Sequence, residues 1–472
     1  MMKLLDIKRA RRGRKRAIAK AIAFAAYAII WKTADVSAGN VVLPGELPAG
    51  EQLVAGQATV TRSGSSMDIV QTTDRAILNW QTFNIGAQAK VEFHQPDAHA
   101  AVLNRVLTSD PSGIYGALRS NGQVFLVNPS GIVFGKGASV NVGSLVASTM
   151  SIGDRDFLNG TYHFNRNGSI AGIVNHANIV AADGGCVALF APEVTSDGLI
   201  SARLGSVMLA SGEAITLGMG RDDLYSIAVD PSKVASAIEN RGMIQADGGH
   251  VLMQASTAGE LLGSVINNGG TVQARTAENR NGTIVLLGDM ESGSVQVSGT
   301  LDASAPDGGD GGFIETSAAH VRIDDGTKVT TLATNGKAGT WLIDPHDFTI
   351  ATGATGDISG ATLQTALTAG NVTILSSQGS TASGFGDINV NDNVTWWNNT
   401  LTLTAARNIN INAVLSVRDS NPGDAIDPSD ARLVMNTATA NGSDAAVSGG
   451  TVLVGLTSSG FNGRVDFDRS GT

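Results

Sequence analysis

GMIQADGGHVLM, residues 242–253, sets two short alternating runs around a corner. The two runs flank the corner as strand, corner, strand, and in the second, GHVLM, alternate residues can face one side, the period of a strand, so Val251 becomes an inward candidate. Asp247, Gly248 and Gly249 between them are residue types that turn a chain tightly. The second half of the phrase recurs. DGGCVAL starts at 183, DGGHVLM at 247 and DGGFIET at 310, separations of 64 and 63 residues. A looser form, Gly-x-(β-branched or aromatic)-x-(mostly apolar), is far commoner, as in GQVFL (122), GSVML (205), GTVQA (270), GTIVL (282), GSVQV (293), GTWLI (339) and GTVLV (450). We read the separations as three units of about 21 residues each. A unit that short cannot bury its own apolar face, but stacked neighbours can cover it. The expectation is an all-β fold, a right-handed parallel β-helix, with Val187, Val207, Val251, Val272 and Ile284 in one inward ladder. About 20 coils at ~4.8 Å each predict a rod ~100 Å long. Helical periodicity is nearly absent beyond the N-terminus. The exception is LYSIAVDPSKVASAIENRG (224–242), where Pro231 could open a helix running to Gly242, inserted between coils.

The bulk numbers agree. The 472 residues include 58 Gly and one Cys, with 42% hydrophobic and 5% aromatic residues, a composition for strands and turns with enough apolar mass for a core. Charge is uneven. Ten of the 32 Lys+Arg and two of the 42 Asp+Glu lie at or before Ala38, leaving 22 against 40, a net of −18, on the remainder. A body that acidic argues against nucleic acid as a partner. The N-terminus reads as an extended signal peptide, residues 1–38. KRARRGRKR (8–16) is a basic n-region, AIAFAAYAIIW (21–31) an apolar stretch too short to span a bilayer comfortably, and Val36-Ser37-Ala38 a small-residue cleavage site, placing the cut between Ala38 and Gly39. Cys186 is the single cysteine, so no intrachain disulfide can form. A chain that must cross a second membrane unfolded is not obstructed by a crosslink.

NGQVFLVNPSGIVFG (121–135) places a corner, Asn128-Pro129-Ser130-Gly131, between two apolar runs. Pro129 fixes φ, and its neighbours are turn formers. The following GKG does not make a phosphate loop. Only three residues lie between Gly131 and Gly135 instead of four, and Gly137 occupies the place of the Mg²⁺-binding hydroxyl.

The corner sits in a longer run, WQTFNIGAQAKVEFHQPDAHAAVLNRVLTSDPSGIYGALRSNGQVFLVNPSGIVFGKGASVNVGSLVAST (80–149). This run resembles the N-terminal secretion domain of filamentous haemagglutinin-type exoproteins of Gram-negative two-partner secretion. The resemblance spans about residues 41–165, and GTWLIDPHDFTI (339–350) also resembles a segment that recurs in these exoproteins. The family carries two Asn-Pro motifs, NPNL and NPNG. The second falls on Asn128-Pro129-Ser130-Gly131, with Ser130 replacing Asn and Ile132 following. The first is not intact, since Gln95-Pro96-Asp97-Ala98 holds its place. The resemblance implies recognition by periplasmic modules of an outer-membrane β-barrel transporter, passage through it unfolded, and folding outside. It implies a protein that is secreted or displayed on the cell surface after signal-peptide removal. Asn128 to Ile132 are the expected recognition motif. Asn104 and Arg105, in VLNRV, are read first as structural, Arg105 pairing with an acid at a coil edge, and second as recognition contacts.

The expected organisation is a secretion (haemagglutination activity) domain over 39–165, β-helix repeats over 166–345, and further β-rich repeats over 346–472, truncated after VDFDRSGT. Trp396 and Trp397 are expected in core or cap packing. The seven His are scattered and one Cys cannot build a Cys-His cluster, so neither catalytic residues nor a metal site nor a cofactor is expected. The DGGDGG at 307–312 lacks the nonapeptide register of Ca²⁺-binding glycine repeats. The reading is a haemagglutinin-like adhesin, not an enzyme, with host or bacterial surface glycan or protein as a further partner. The alternatives are the delivery stalk of a toxin whose effector lies beyond residue 472, and a β-helix enzyme acting on polysaccharide.

Overall fold

Each turn of the chain lays down three short strands, one on each of three long sheets. A representative coil runs through Ser112–Ile114, Ala117–Ser120 and Gln123–Val127 before the corner at Asn128 returns it to the first sheet. The structure is a computed structural model that describes residues 41–219, 225–258, 264–377, 384–417, 431–438, 446–448, 451–454 and 464–470. The expected signal peptide and its Ala38–Gly39 cut lie outside the described residues, as does Gly220–Leu224. The sheets have 15, 11 and 8 strands, and successive coils pair in parallel, which makes a parallel β-helix. Antiparallel pairing occurs where the helix starts. Gln52–Ala55 pairs with Arg75–Trp80, and the hairpin Ala58–Ser63/Ser66–Gln71 begins the 11-stranded sheet. These strands cap the N-terminal edges.

The interior is one continuous column of Val, Ile, Leu and Ala. Val187, Val207, Val251 and Ile284 are register partners in the 15-stranded sheet, as expected. Val272 is not in that ladder. It stacks between Ile244 and Leu301 in the 11-stranded sheet, because the corner at Asn268–Gly270 has already turned the chain onto another face. Coil length also differs from expectation. Twenty residues separate Val187 from Val207, but 44 separate Val207 from Val251 and 33 separate Val251 from Ile284. Successive DGG phrases therefore lie two coils apart, not three. Longer coils mean fewer of them. Fifteen stacked strands at ~4.8 Å give ~70 Å, shorter than the expected rod.

The repeated Gly before each strand has a steric cause. A Cβ on Gly205 would meet the Gly185 carbonyl oxygen at 1.9 Å, one on Gly249 the Gly205 oxygen at 2.0 Å, and one on Gly312 the Gly282 oxygen at 2.1 Å. Glycine stacks on glycine because the coils approach too closely at this corner for any side chain. A second column, Gly198–Gly242–Gly270–Gly299, does the same at another corner.

A second layer covers the outer face of the 15-stranded sheet. Ser151–Ile152, the helix Asp154–Asn159 and Tyr162–Asn165 leave one coil, and Ala214–Met219 with Tyr225–Asp230 leave another. Their strands form a four-stranded antiparallel sheet. The expected helix over 224–242 is absent from the described part of that segment. Alternation in Tyr225–Asp230 makes it a hairpin strand, and Ser236–Asn240 is a coil strand. Ile77, Leu103, Phe125, Phe157, Phe164 and Phe190 form a separate core between the layers, with Phe125–Phe157 and Phe164–Phe190 in edge-to-face contact at 5.2 and 5.3 Å. Gln123–Val127, Ser144–Ser148, Cys186–Phe190 and Ser206–Ser211 are consequently buried on both faces, whereas His250–Ala255 is buried only at alternate residues.

Farther along, Gly360–Ala369 is a helix that the sequence reading missed; Ser359 caps it by accepting from the Thr362 N–H, and Leu363 and Leu367 are buried. Trp396 is fully buried in the core, while Trp397 is 38% exposed. Asn391–Asn412 stack as a side-chain amide ladder at 2.8 Å just past two strand ends, the corner position expected, whereas Asn389–Asn410 stack at 3.0 Å inside the strands Ile388–Val390 and Asn408–Ile411.

Candidate secretion-recognition site

The Asn128 corner joins the 15-stranded to the 8-stranded sheet, on the same edge from which both insertions emerge. Apolar Gln123–Val127 and Ile132–Phe134 fix its two arms in the core, and Pro129 and Gly131 make the turn between them. The Gly131 N–H donates to the Asn128 carbonyl at 3.1 Å, and Gly131 has φ +118°, a conformation that selects glycine.

Asn128 is fully buried and ties three coils together. Its Nδ2 donates to the Asp110 carbonyl and to Ser112 Oγ in the preceding coil, both at 2.9 Å. Its backbone N–H donates to the Ser148 carbonyl of the following coil at 2.9 Å. Its Oδ1 accepts from the Ser130 N–H at 2.9 Å. Every polar atom of the side chain is thus used internally. Ile132 is also buried, so Pro129 is the exposed member of the motif and Ser130 is half-buried. The turn is fastened outward as well. Ser169 Oγ, on the return from the first insertion, donates to the Pro129 carbonyl at 2.8 Å.

Asn104 and Arg105 point to opposite faces of strand Ala101–Val106. Asn104 is buried in the helix interior, where its Oδ1 accepts from Trp80 Nε1 at 3.0 Å and its Nδ2 donates to the Phe125 carbonyl at 3.2 Å. Arg105 faces the second layer. Its Nη2 donates to Asp154 Oδ1 at 2.6 Å and to the Ile152 carbonyl at 2.9 Å. The acid partner expected for Arg105 exists, but it comes from the inserted helix and not from a coil edge. Gly160 in the left-handed conformation ends that helix, and Asp154 and Asp156 in its first turn suit the helix dipole.

Two features of the site went unread in the sequence. Gln95, at the place of the first family motif, is a buried hub. Its Nε2 donates to the Ala100 carbonyl at 2.8 Å, its backbone N–H to Asn121 Oδ1 at 2.8 Å, and Asn121 Nδ2 donates back to the Gln95 carbonyl at 2.8 Å. Asp97 Oδ1 closes the same corner by accepting from the His99 and Ala100 N–H groups. Arg166 pairs with Glu213 through Nε–Oε2 at 2.9 Å and Nη2–Oε1 at 3.2 Å, locking one insertion to the other. The hydrogen bonds from Arg166 hold the Glu213 carboxyl below its ordinary range. No spacing rule joins residues 26 or 47 positions apart, so neither role was visible beforehand. Cys186 is buried in the second core, and burial pushes its thiol far up, which leaves it unreactive.

Comparison with known proteins places this geometry. A family model described as the TPS secretion domain matches residues 46–303. Two proteins of Haemophilus influenzae, each named heme/hemopexin-binding protein, are 33% identical over 254 residues and 31% identical over 268. Each match covers 52% of this chain, but only 27% and 28% of the relative, so the chain spans little more than a quarter of their length. The crystal structure of the HMW1 secretion domain from Haemophilus influenzae aligns with a TM-score of 0.62 at 24% identity, over 89% of this chain and 99% of that one. At that identity the likeness speaks for the fold.

Proposed function

The chain belongs to the TPS secretion domain family of two-partner secretion exoproteins, and from that premise we propose that its N-terminal coils are the export address of a haemagglutinin-like adhesin. An outer-membrane β-barrel transporter with periplasmic modules is the proposed partner. The signal peptide of residues 1–38 delivers the chain to the periplasm, with cleavage between Ala38 and Gly39, and the exported protein is secreted or held at the cell surface. Its further partner is a glycan or protein of a host or bacterial surface. The reading is of an interaction protein and not an enzyme. Hemopexin binding belongs to the named relatives, and the matched portion is too small a part of them to carry that ligand over.

The observation that carries this reading is the family match across residues 46–303, which includes the Asn128 corner. The fold suggests how export proceeds. Each coil offers a row of unpaired backbone groups on which the next can pair, so a chain emerging N-terminus first can fold coil upon coil. Since Asn128 is fully enclosed once folded, a transporter reads its side chain before the corner closes.

The test is secretion of variants with the cognate transporter. Asn128→Ala should hold protein in the periplasm, while Val251→Ala should still be exported. Ser112→Ala separates two roles of the corner. It removes a folded-state partner of Asn128 and leaves the motif untouched. Export of Ser112→Ala with retention of Asn128→Ala supports reading of the unfolded motif. Equal secretion of Asn128→Ala and wild type removes the address.

A further inference from the structure

We infer that Asp68, Glu92 and His94 form a binding site for a divalent cation of the zinc class. The three side chains stand on the solvent side of the 11-stranded sheet. Asp68 and Glu92 are register partners on neighbouring parallel strands, Ser66–Gln71 and Lys90–His94. Glu92 and His94 are two residues apart on one strand, so they share a face. One ligand atom from each lies within 4.8 Å of the others, and His94 Nε2 is 3.2 Å from Asp68 Oδ1.

This spacing suits a metal. Ligands about 2.0–2.2 Å from a tetrahedral zinc ion stand roughly 3.3–3.5 Å apart, and water completes the fourth position. One imidazole with two carboxylates is a mixed nitrogen–oxygen set, which favours zinc over the hard cations that take oxygen alone. All three backbones are fixed in a parallel ladder, so little chain entropy opposes assembly. Lys90 now pairs with Glu92, and a divalent ion would displace that single charge.

The location gives the site a consequence. Asp68 belongs to the antiparallel hairpin that caps the N-terminal edge, and Glu92 and His94 belong to the first strand that pairs in parallel with it. A bound cation would fasten the cap to the first coil. The site does not depend on the export reading.

The test is calorimetric titration of the full chain with zinc chloride, alongside thermal unfolding with and without it. Wild type should bind one zinc ion at this site and melt at a higher temperature in its presence. Calcium chloride should produce neither effect. His94→Gln should weaken binding at least about tenfold, since loss of even an outer-sphere partner costs that much, and should shrink the melting shift at the same zinc concentration. His99→Gln, outside the cluster, should behave as wild type. The proposal fails if wild type neither binds zinc nor shifts its melting, or if His94→Gln binds as well as wild type.

Discussion

Arg105 and Asp154 meet at 2.6 Å across the seam between the 15-stranded sheet and the inserted helix. The two ends of this pair are not equivalent. Arg105 is 18% exposed and also donates to the Ile152 carbonyl, whereas Asp154 is 45% exposed. Removing the carboxylate leaves Arg105 with another acceptor and costs about 0–1 kcal/mol, the range for a surface pair. Removing the guanidinium frees the insertion from its anchor and leaves a partly buried carbonyl unpaired, costing about 1–3 kcal/mol. Arg105→Ala should therefore lower the urea midpoint more than Asp154→Ala and speed proteolytic nicking near residues 153–161. Equal effects of the two substitutions would refute the asymmetry.

Asn104 faces the other way, and its loss should be felt in the core. Asn104→Leu fills similar volume but strips the Trp80 indole N–H of its acceptor and takes one donor from the Phe125 carbonyl. The expected cost is about 1–3 kcal/mol for the buried indole N–H left unsatisfied. Chemical denaturation measures it. An unchanged midpoint would show that the polar pair contributes nothing to stability.

Glycine stacking gives a prediction about the repeat itself. Gly249→Ala sets a methyl 2.0 Å from the Gly205 carbonyl oxygen, backbone against backbone, with no flexible side chain to yield. Overpacking of this kind costs about 1–3 kcal/mol. Gly64→Ala meets no atom within 4 Å, so it isolates the cost of a left-handed glycine, φ +57°, from that of close approach. Thermal melts of the two variants should rank Gly249→Ala as the more damaging.

The β-helix was legible because its steric rule repeats. Each close approach of coils demands a glycine, and each ladder demands an apolar residue two places on, so GSVML and GTIVL announce the fold locally. The number of coils was not legible, because hairpins and helices inserted at corners change the spacing without disturbing the phrase. A trace of the second layer was present unread. VFLV (124–127) and CVALF (186–190) are unbroken apolar runs, the pattern of strands buried on both faces, while HVLMQA (250–255) alternates its burial. At the candidate site, Asn128 was legible through the family motif and its turn residues. The partners that enclose it, Ser112 and Asp110, were not, because only stacking brings residues 16 and 18 positions away into contact. The same holds for Asp68 and His94, which sequence alone leaves 26 residues apart.

Asp344, in the GTWLIDPHDFTI segment, should make stability depend on pH. Burial, reinforced by the nearby Glu315 charge, raises its carboxyl from 3.8 to about 6. The folded state therefore holds this proton more tightly than the unfolded chain does. Its contribution is fully present below about pH 4 and is lost as pH rises through about 6, the reverse of a salt-bridged carboxylate. Two units would correspond to about 3 kcal/mol, but the side chain is only half-buried, and solvent screening reduces this to about 1–2 kcal/mol. Asp344→Asn keeps the shape and removes the titration. Relative to wild type it should be more stable at pH 7.5 than at pH 4.5 by that amount, measured by urea unfolding at both values. A constant difference between the two proteins across this window would show that Asp344 carries no shifted proton.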